Sequence, residues 1–156
     1  MIGNRRKARE AALQLLYQDE YHDPETRVLA ERHFWEELDL VSGGDEVRSF
    51  ARFLVDGVRE RREKLDEQIA SVARNWKVER MSRVDRNILR AAGFELMFAS
   101  DIPRKVTLNE AIEVAKIYGT EDSSAFINGV LDRISRELRN SDPTPNSPAV
   151  TTEEAP

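Results

Sequence analysis

The sequence predicts an all-α protein of six to seven helices. Apolar residues recur at three-and-four spacing along most of the chain, and no stretch sustains the alternation of a half-buried strand. Glycine and proline are few, and several lie between the periodic segments rather than inside them. At 156 residues the chain has the size of one domain, large enough to bury a real core.

The first helix is expected from Arg5 to about Tyr21, where Ala8, Ala12, Leu15 and Leu16 follow helical spacing with no Gly or Pro between them. At about 100° per residue, Arg5 and Arg9 project to the same side as Ala12 and Leu16, whereas Arg6 lies near Glu10 and Tyr17. "HDPE" then makes a stop and a start: Asp23 caps, Pro24 takes the first helical position and Glu25 complements the dipole. A second helix runs to about Leu38, with Val28, His33, Trp35 and Leu38 as inward contacts, before "SGGD" at 42–45 breaks the chain.

From Asp45 the periodicity restarts with Val47, Phe50, Ala51, Leu54 and Val58 and continues through Leu65, Ile69, Val72 and Trp76, with a bend expected in the charged "RERREK". Ser82 followed by Asp85 forms a near capping box, so a helix starts at Ser82, carries Ile88, Leu89, Ala92, Leu96 and Met97, and stops ahead of Pro103. Thr107 and Glu110 form a T-x-x-E box that opens the next helix, through Ala111, Ile112, Ala115 and Ile117, with Gly119 as its terminator. The last helix runs from about Ser123 to Leu138 on Phe126, Ile127, Val130, Leu131 and Ile134. Residues 1–139 thus form one helical domain, and 140–156, acidic and rich in Pro, Ser and Thr, are expected to be a disordered tail.

Several chemistries are excluded. Without cysteine there is no disulfide, thiolate nucleophile, zinc finger or iron–sulfur cluster. His22 and His33 are not spaced to put two imidazoles on one helix face, Gly43-Gly44 lacks the Lys-Ser or Lys-Thr of a P-loop, and no G-x-S-x-G elbow occurs. A non-enzymatic protein without metal or cofactor is the expectation. The charged N-terminus lacks the apolar core of a signal peptide, and no run approaches the ~20 apolar residues that span a bilayer. A cytoplasmic location without membrane contact follows.

Charge is unevenly placed within a net of -5: Arg5, Arg6, Lys7 and Arg9 crowd the start of the first helix, whereas the tail holds Asp142, Glu153 and Glu154 and no base. Positive charge at a helix N-terminus opposes the macrodipole, so the basic start calls for compensation. A polyanion would supply it, because Arg and Lys neutralise phosphates and exposed N-terminal amides add donors aimed the same way; the alternative from charge alone is a solvated helix end. Tyr17 and Phe126 are the aromatic candidates for base stacking, although each alone also fits a core. Trp35 and Trp76 are expected to be packing residues, and Asn128-Gly129 a close helix–helix contact.

Three blocks, "RRKAREAALQLLYQ", "NWKVERMSRVDRNILRAAGFELMF" and "DIPRKVTLNEAIEVAKIYGTEDSSAFINGVLDRI", resemble the NusB family of bacterial transcription antitermination factors. The resemblance covers most of residues 4–138, and its specific part is the order VDRNILR, DIP, NEAIEVAK, FINGVLD. Residues 25–58 match only in helical character. The family implies two helical bundles packed across each other around one core. It also implies a non-catalytic adaptor that binds the boxA element of nascent ribosomal RNA together with the small-subunit ribosomal protein NusE. Through them it joins RNA polymerase and other Nus factors.

Carried over by the resemblance, the RNA-binding residues are Arg5, Arg6, Lys7, Arg9, Tyr17, Asp122 and Phe126, with Lys7 where an arginine is expected, which keeps charge but loses bidentate geometry. Asp122 either accepts from base amino groups or caps the helix at Ser123. The NusE surface lies on the C-terminal bundle, where Glu79, Asp85, Glu110 and Glu113 are the expected contributors; only Asp85 falls on a strongly matching motif position. Neutralising ~3 to 4 phosphates of single-stranded RNA gives a log–log salt slope of about -2 to -3. Dimers occur in the family, and the sequence leaves homodimerisation open.

A second reading is a detached RNA-targeting domain related to the N-terminal domain of ribosomal RNA methyltransferases, though no Gly-rich strand–turn–helix region for S-adenosylmethionine is present. A DNA regulator would require a basic recognition helix, whereas Arg133, Arg136 and Arg139 are interspersed with Asp132 and Glu137.

Overall fold

The computed structural model describes residues 3–42 and 44–141. Among them the regular elements are α1 (Asn4–Asp19), α2 (Pro24–Ser42), α3 (Asp45–Val72), α4 (Arg83–Phe98), α5 (Arg104–Tyr118) and α6 (Ser123–Ser141), with a 3₁₀ turn at Val78–Arg80. The chain is all-α, with six α-helices. The expected tail lies outside the described residues from 142 onward, and α6 runs past the expected boundary at 139 to Ser141.

Local side chains cap the starts of α2 and α4. Asp23 Oδ1 accepts the Thr26 N–H at 2.8 Å ahead of Pro24, and Ser82 Oγ accepts the Asp85 N–H at 3.0 Å. The expected bend in "RERREK" falls at Arg61, whose φ of -120° and ψ of 22° leave the helical region inside α3. α5 departs from expectation. It begins at Arg104, with Pro103 at the cap, one turn before the T-x-x-E pattern. Thr107 is therefore inside the helix, where its buried hydroxyl donates to Glu95 Oε1 at 3.0 Å, and Glu110 reaches across to α1. Both box residues serve tertiary partners rather than a cap.

Gly119 ends α5 with an ordinary φ of -96°. Its lack of a side chain matters through close approach: a Cβ there would lie 2.4 Å from Ser123 Oγ and 2.9 Å from the Ala115 carbonyl oxygen. Ser123 Oγ also accepts the Thr120 N–H at 2.9 Å, closing the tight α5–α6 turn.

The apolar interior forms two contiguous clusters. One joins Ala8, Leu15 and Leu16 of α1 with Trp35 of α2, Leu54 and Val58 of α3, and Phe94 of α4. The other joins Ile69 of α3 with Leu89 of α4, Val114 of α5, and Ile127 and Leu131 of α6, and Leu13 of α1 enters it from outside. Each fully buried Leu or Ile contributes about 1.5–3 kcal/mol. Helices α1, α3 and α4 serve both clusters, which fixes the two bundles to each other.

Expected packing contacts are absent in α2 and α6. In α2, Trp35 is buried and Leu38 half-buried, but Val28 and His33 are exposed. Among the described side chains of α2 the buried apolar contact centres on Trp35, and the amino-terminal half keeps Val28 and Leu29 in solvent. In α6, Asn128 and Gly129 are exposed, and a Cβ on Gly129 would meet nothing within 4 Å, so this pair is not a helix–helix contact.

Candidate nucleic-acid interface

The basic start of α1 divides into two pairs. Arg9 is only 8% exposed: its Nε donates to Glu95 Oε2 and its Nη2 to Glu95 Oε1, both at 2.8 Å. Arg6 makes a second fork, from Nε to Glu110 Oε1 at 2.5 Å and from Nη2 to Glu110 Oε2 at 2.9 Å. The hydrogen bond from Arg6 holds the Glu110 carboxyl below its ordinary range against the opposing effect of burial, and the charges of Arg6 and Arg9 add to it. These two cations are thus compensated from within the chain, which corrects the view of the run as one uncompensated cluster. The cause is geometric: Arg9 shares the helix side of Ala12 and Leu16, which faces the interior.

Arg5 and Lys7 form the other pair. Arg5 is exposed, with its guanidinium carbon 4.0 Å from the centre of the Phe50 ring, and Lys7 is half-buried. Neither has a carboxylate partner among the described residues. From Lys7 a stripe continues along α1 and the turn after it through Glu10, Gln14, Tyr17 and Tyr21, since steps of three and four keep to one face. Tyr118, at the end of α5, donates to Glu10 Oε1 at 3.1 Å and accepts from Gln14 Nε2 at 3.2 Å. The stripe therefore adjoins the α5–α6 turn.

Tyr17 is half-buried, and its ring lies 5.2 Å from that of Tyr21, with the two hydroxyls 3.1 Å apart. Arg83 covers Tyr21, its guanidinium carbon 4.4 Å from the ring centre and its Nη1 donating to the hydroxyl at 3.2 Å. Behind this aromatic pair, Glu20 ties α1 to α4: it accepts from Arg86, from Asn87 Nδ2 at 2.7 Å and from Arg90 Nη1 at 3.1 Å. Burial pushes the Glu20 carboxyl up, but these hydrogen bonds and the Arg86 and Arg90 charges outweigh it and bring it down to about 2.

At the start of α6, Asp122 is exposed and Phe126 half-buried. The Asp122 carboxylate makes no cap bond to the helix. Trp76, expected to be a packing residue, is instead 59% exposed, standing edge-on to Phe126 with ring centres 6.0 Å apart. Asp122, Phe126 and Trp76 share a hollow with Arg80 and Asp85, so residues assigned to RNA and to a protein partner meet in one place. One oxygen of Asp85, Oδ1, is shielded there without a hydrogen-bond partner.

The other acids differ in availability. Glu79 is exposed on the 3₁₀ turn, Glu113 pairs with Lys116 at 3.2 Å, and Glu110 is occupied by Arg6. Sequence reasoning missed Gln14, Tyr21, Arg83 and Tyr118. Tyr21 follows Tyr17 by four residues, a readable spacing, whereas nothing local links Arg83 to a tyrosine 62 positions earlier. Among the described residues no His, Asp and Glu group could hold a metal ion, and no helix is long and apolar enough to cross a membrane.

Fold and surface together define an all-helical protein that gathers cations and aromatic groups around α1 and the start of α6. Residues 6–136 match the NusB family, and the chain belongs to that family of transcription antitermination proteins. The transcription antitermination protein NusB of Geobacter sulfurreducens is 51% identical over 137 residues, which are 88% of this chain and 97% of that one. The structure of T. maritima NusB superposes with a TM-score of 0.75 at 40% identity, covering 88% of this chain and 94% of the other. A structure of antitermination factors NusB and NusE in complex with double-stranded RNA matches with a TM-score of 0.71 at 25% identity, covering 88% and 99%.

Proposed function

We propose that this protein holds boxA-type single-stranded RNA of nascent ribosomal transcripts together with ribosomal protein NusE, and so joins RNA polymerase and other Nus factors in the antitermination complex. The observation that carries the reading is the pair Arg5 and Lys7. In an acidic chain that neutralises the neighbouring Arg6 and Arg9 with its own carboxylates, these two are left to an outside anion. Tyr17 and Phe126 supply aromatic surface at either end of the path, and bases stack on such groups only when unpaired, which favours a single strand. Arg6 and Arg9 act by fixing α1, and Asp122 is free to accept from base amino groups. Glu79, Asp85 and Glu113 offer acidic complement to a basic ribosomal protein, with Glu110 contributing by holding Arg6. A relative solved with NusE and double-stranded RNA supports NusE and RNA as partners, and the single strand rests on the aromatic groups. Cytoplasmic location accompanies this task.

Titration of labelled boxA RNA, scrambled RNA and duplex DNA, with and without NusE, tests the proposal. The expected result is preference for boxA RNA, tighter with NusE, and a salt slope of about -1.4 from Arg5 and Lys7. Equal binding of all three nucleic acids, or salt-independent binding, would overturn it.

A further inference from the structure

Of the two tryptophans in the chain, Trp35 is buried and Trp76 is the more exposed by a wide margin, at 59%. An indole is costly to leave in water, because it offers one of the largest apolar surfaces of any side chain. Its position is nevertheless fixed: the Trp76 N–H donates to the Ala73 carbonyl at 3.0 Å in the turn after α3, and Phe126 supports the ring edge-on, the planes inclined at 70°. A hollow opens on each side of this aromatic pair, and the two differ in charge. On one side the lining includes Arg74, Asn75, Gly129 and Arg133 and contains no acid. On the other it includes Asp85 and Asp122 beside Arg80.

We propose that Trp76 is a base-stacking platform that extends the RNA path beyond Phe126, with phosphates lying against Arg74 and Arg133 and the edge of the stacked base turned to Asp122. The inference rests on the RNA-binding reading and adds residues to it. Two features favour a nucleic-acid strand over a segment of a basic protein. Arg74 has no carboxylate partner, and Arg133, whose Nη1 donates to the Val72 carbonyl at 3.0 Å, lies in the same acid-free groove, so a basic segment would be repelled there. Gly129 leaves the α6 surface open, with nothing within 4 Å of a Cβ position, so a sugar–phosphate backbone can approach closely. Asp122, an acceptor only, takes a hydrogen bond from a base N–H, whether an exocyclic amino group or a ring imino group.

The test uses the full chain and a boxA RNA oligonucleotide. Trp76→Ala is expected to weaken binding roughly 5- to 100-fold, with Trp76→Phe between it and the parent. Arg74→Ala is expected to reduce the salt slope by about 0.7. Scanning the RNA with single abasic nucleotides identifies the stacked base: one position costs affinity in the parent and nothing further in Trp76→Ala. Trp76 is on the surface, so the variants keep the parent's circular dichroism; in a Trp35→Phe background, RNA quenches the remaining indole. If the parent binds RNA and Trp76→Ala binds equally well, the platform is wrong while the RNA reading stands. If the parent binds no RNA, the underlying reading fails first. If Trp76→Ala weakens capture of NusE and leaves RNA affinity untouched, the indole belongs to the protein partner and the proposal is overturned.

Discussion

Arg9 and Glu95 form a buried, two-pronged ion pair between α1 and α4, each N···O distance being 2.8 Å, with Thr107 of α5 donating to the same carboxylate at 3.0 Å. Three helices converge on one acid that is 2% exposed. Removing Arg9 leaves that charge buried with a single hydroxyl for company. Arg9→Ala is therefore expected to destabilise the fold by about 3–5 kcal/mol, read from urea unfolding, although the residue sits in a run that looks like a phosphate clamp.

Arg5 and Lys7 are expected to behave in the opposite way. Arg5→Ala loses a cation–π contact with Phe50, worth about 0.5–1 kcal/mol, and Lys7→Ala changes stability by less. Each should instead lower RNA affinity and reduce the salt slope by about 0.7. Anisotropy titrations at several salt concentrations check both.

Glu20 makes stability depend on acid pH. Its carboxyl falls to about 2 in the fold from an ordinary 4.5, so the folded state binds fewer protons than the unfolded chain between those values. The stabilisation is complete above about pH 4.5 and is lost progressively as pH falls toward 2, amounting to about 2 kcal/mol after solvent screening of the partly exposed site. Glu20→Gln should flatten that part of the stability–pH curve and lower the plateau at neutral pH, because Arg86 and Arg90 lose their shared anion.

Gly57 lets α3 and α4 approach closely within the first apolar cluster. A Cβ there would lie 2.1 Å from Phe94 Cζ, so the Phe94 ring rests on the backbone of α3. Gly57→Ala is expected to cost about 1–3 kcal/mol by overpacking, even though alanine favours helix, and Phe94→Leu in the same chain should recover part of the loss. Thermal unfolding of the single and double variants measures it.

The helices were legible wherever their ends are made by neighbours in sequence, as with Asp23 ahead of Pro24, Ser82 with Asp85, and the bend at Arg61. They were misread where the same letters serve distant partners. Thr107 and Glu110 have the spelling of a cap, but their hydrogen bonds go to Glu95 and Arg6. The projection of Arg9 onto the side of Leu16 hinted at its burial, yet only the fold brings in Glu95 from 86 positions away. Trp76 shows the converse. Its apolar character suggested packing, while its neighbours Arg74 and Lys77 carried the sign of a surface residue.

α3 bends at Arg61 and continues, placing Leu54 in one apolar cluster and Ile69 in the other. Neither half of the molecule has a complete set of walls without this shared rod. Heat should therefore melt the chain in a single transition, with calorimetric and van't Hoff enthalpies equal, and severing it near the bend should leave two fragments unable to stand apart.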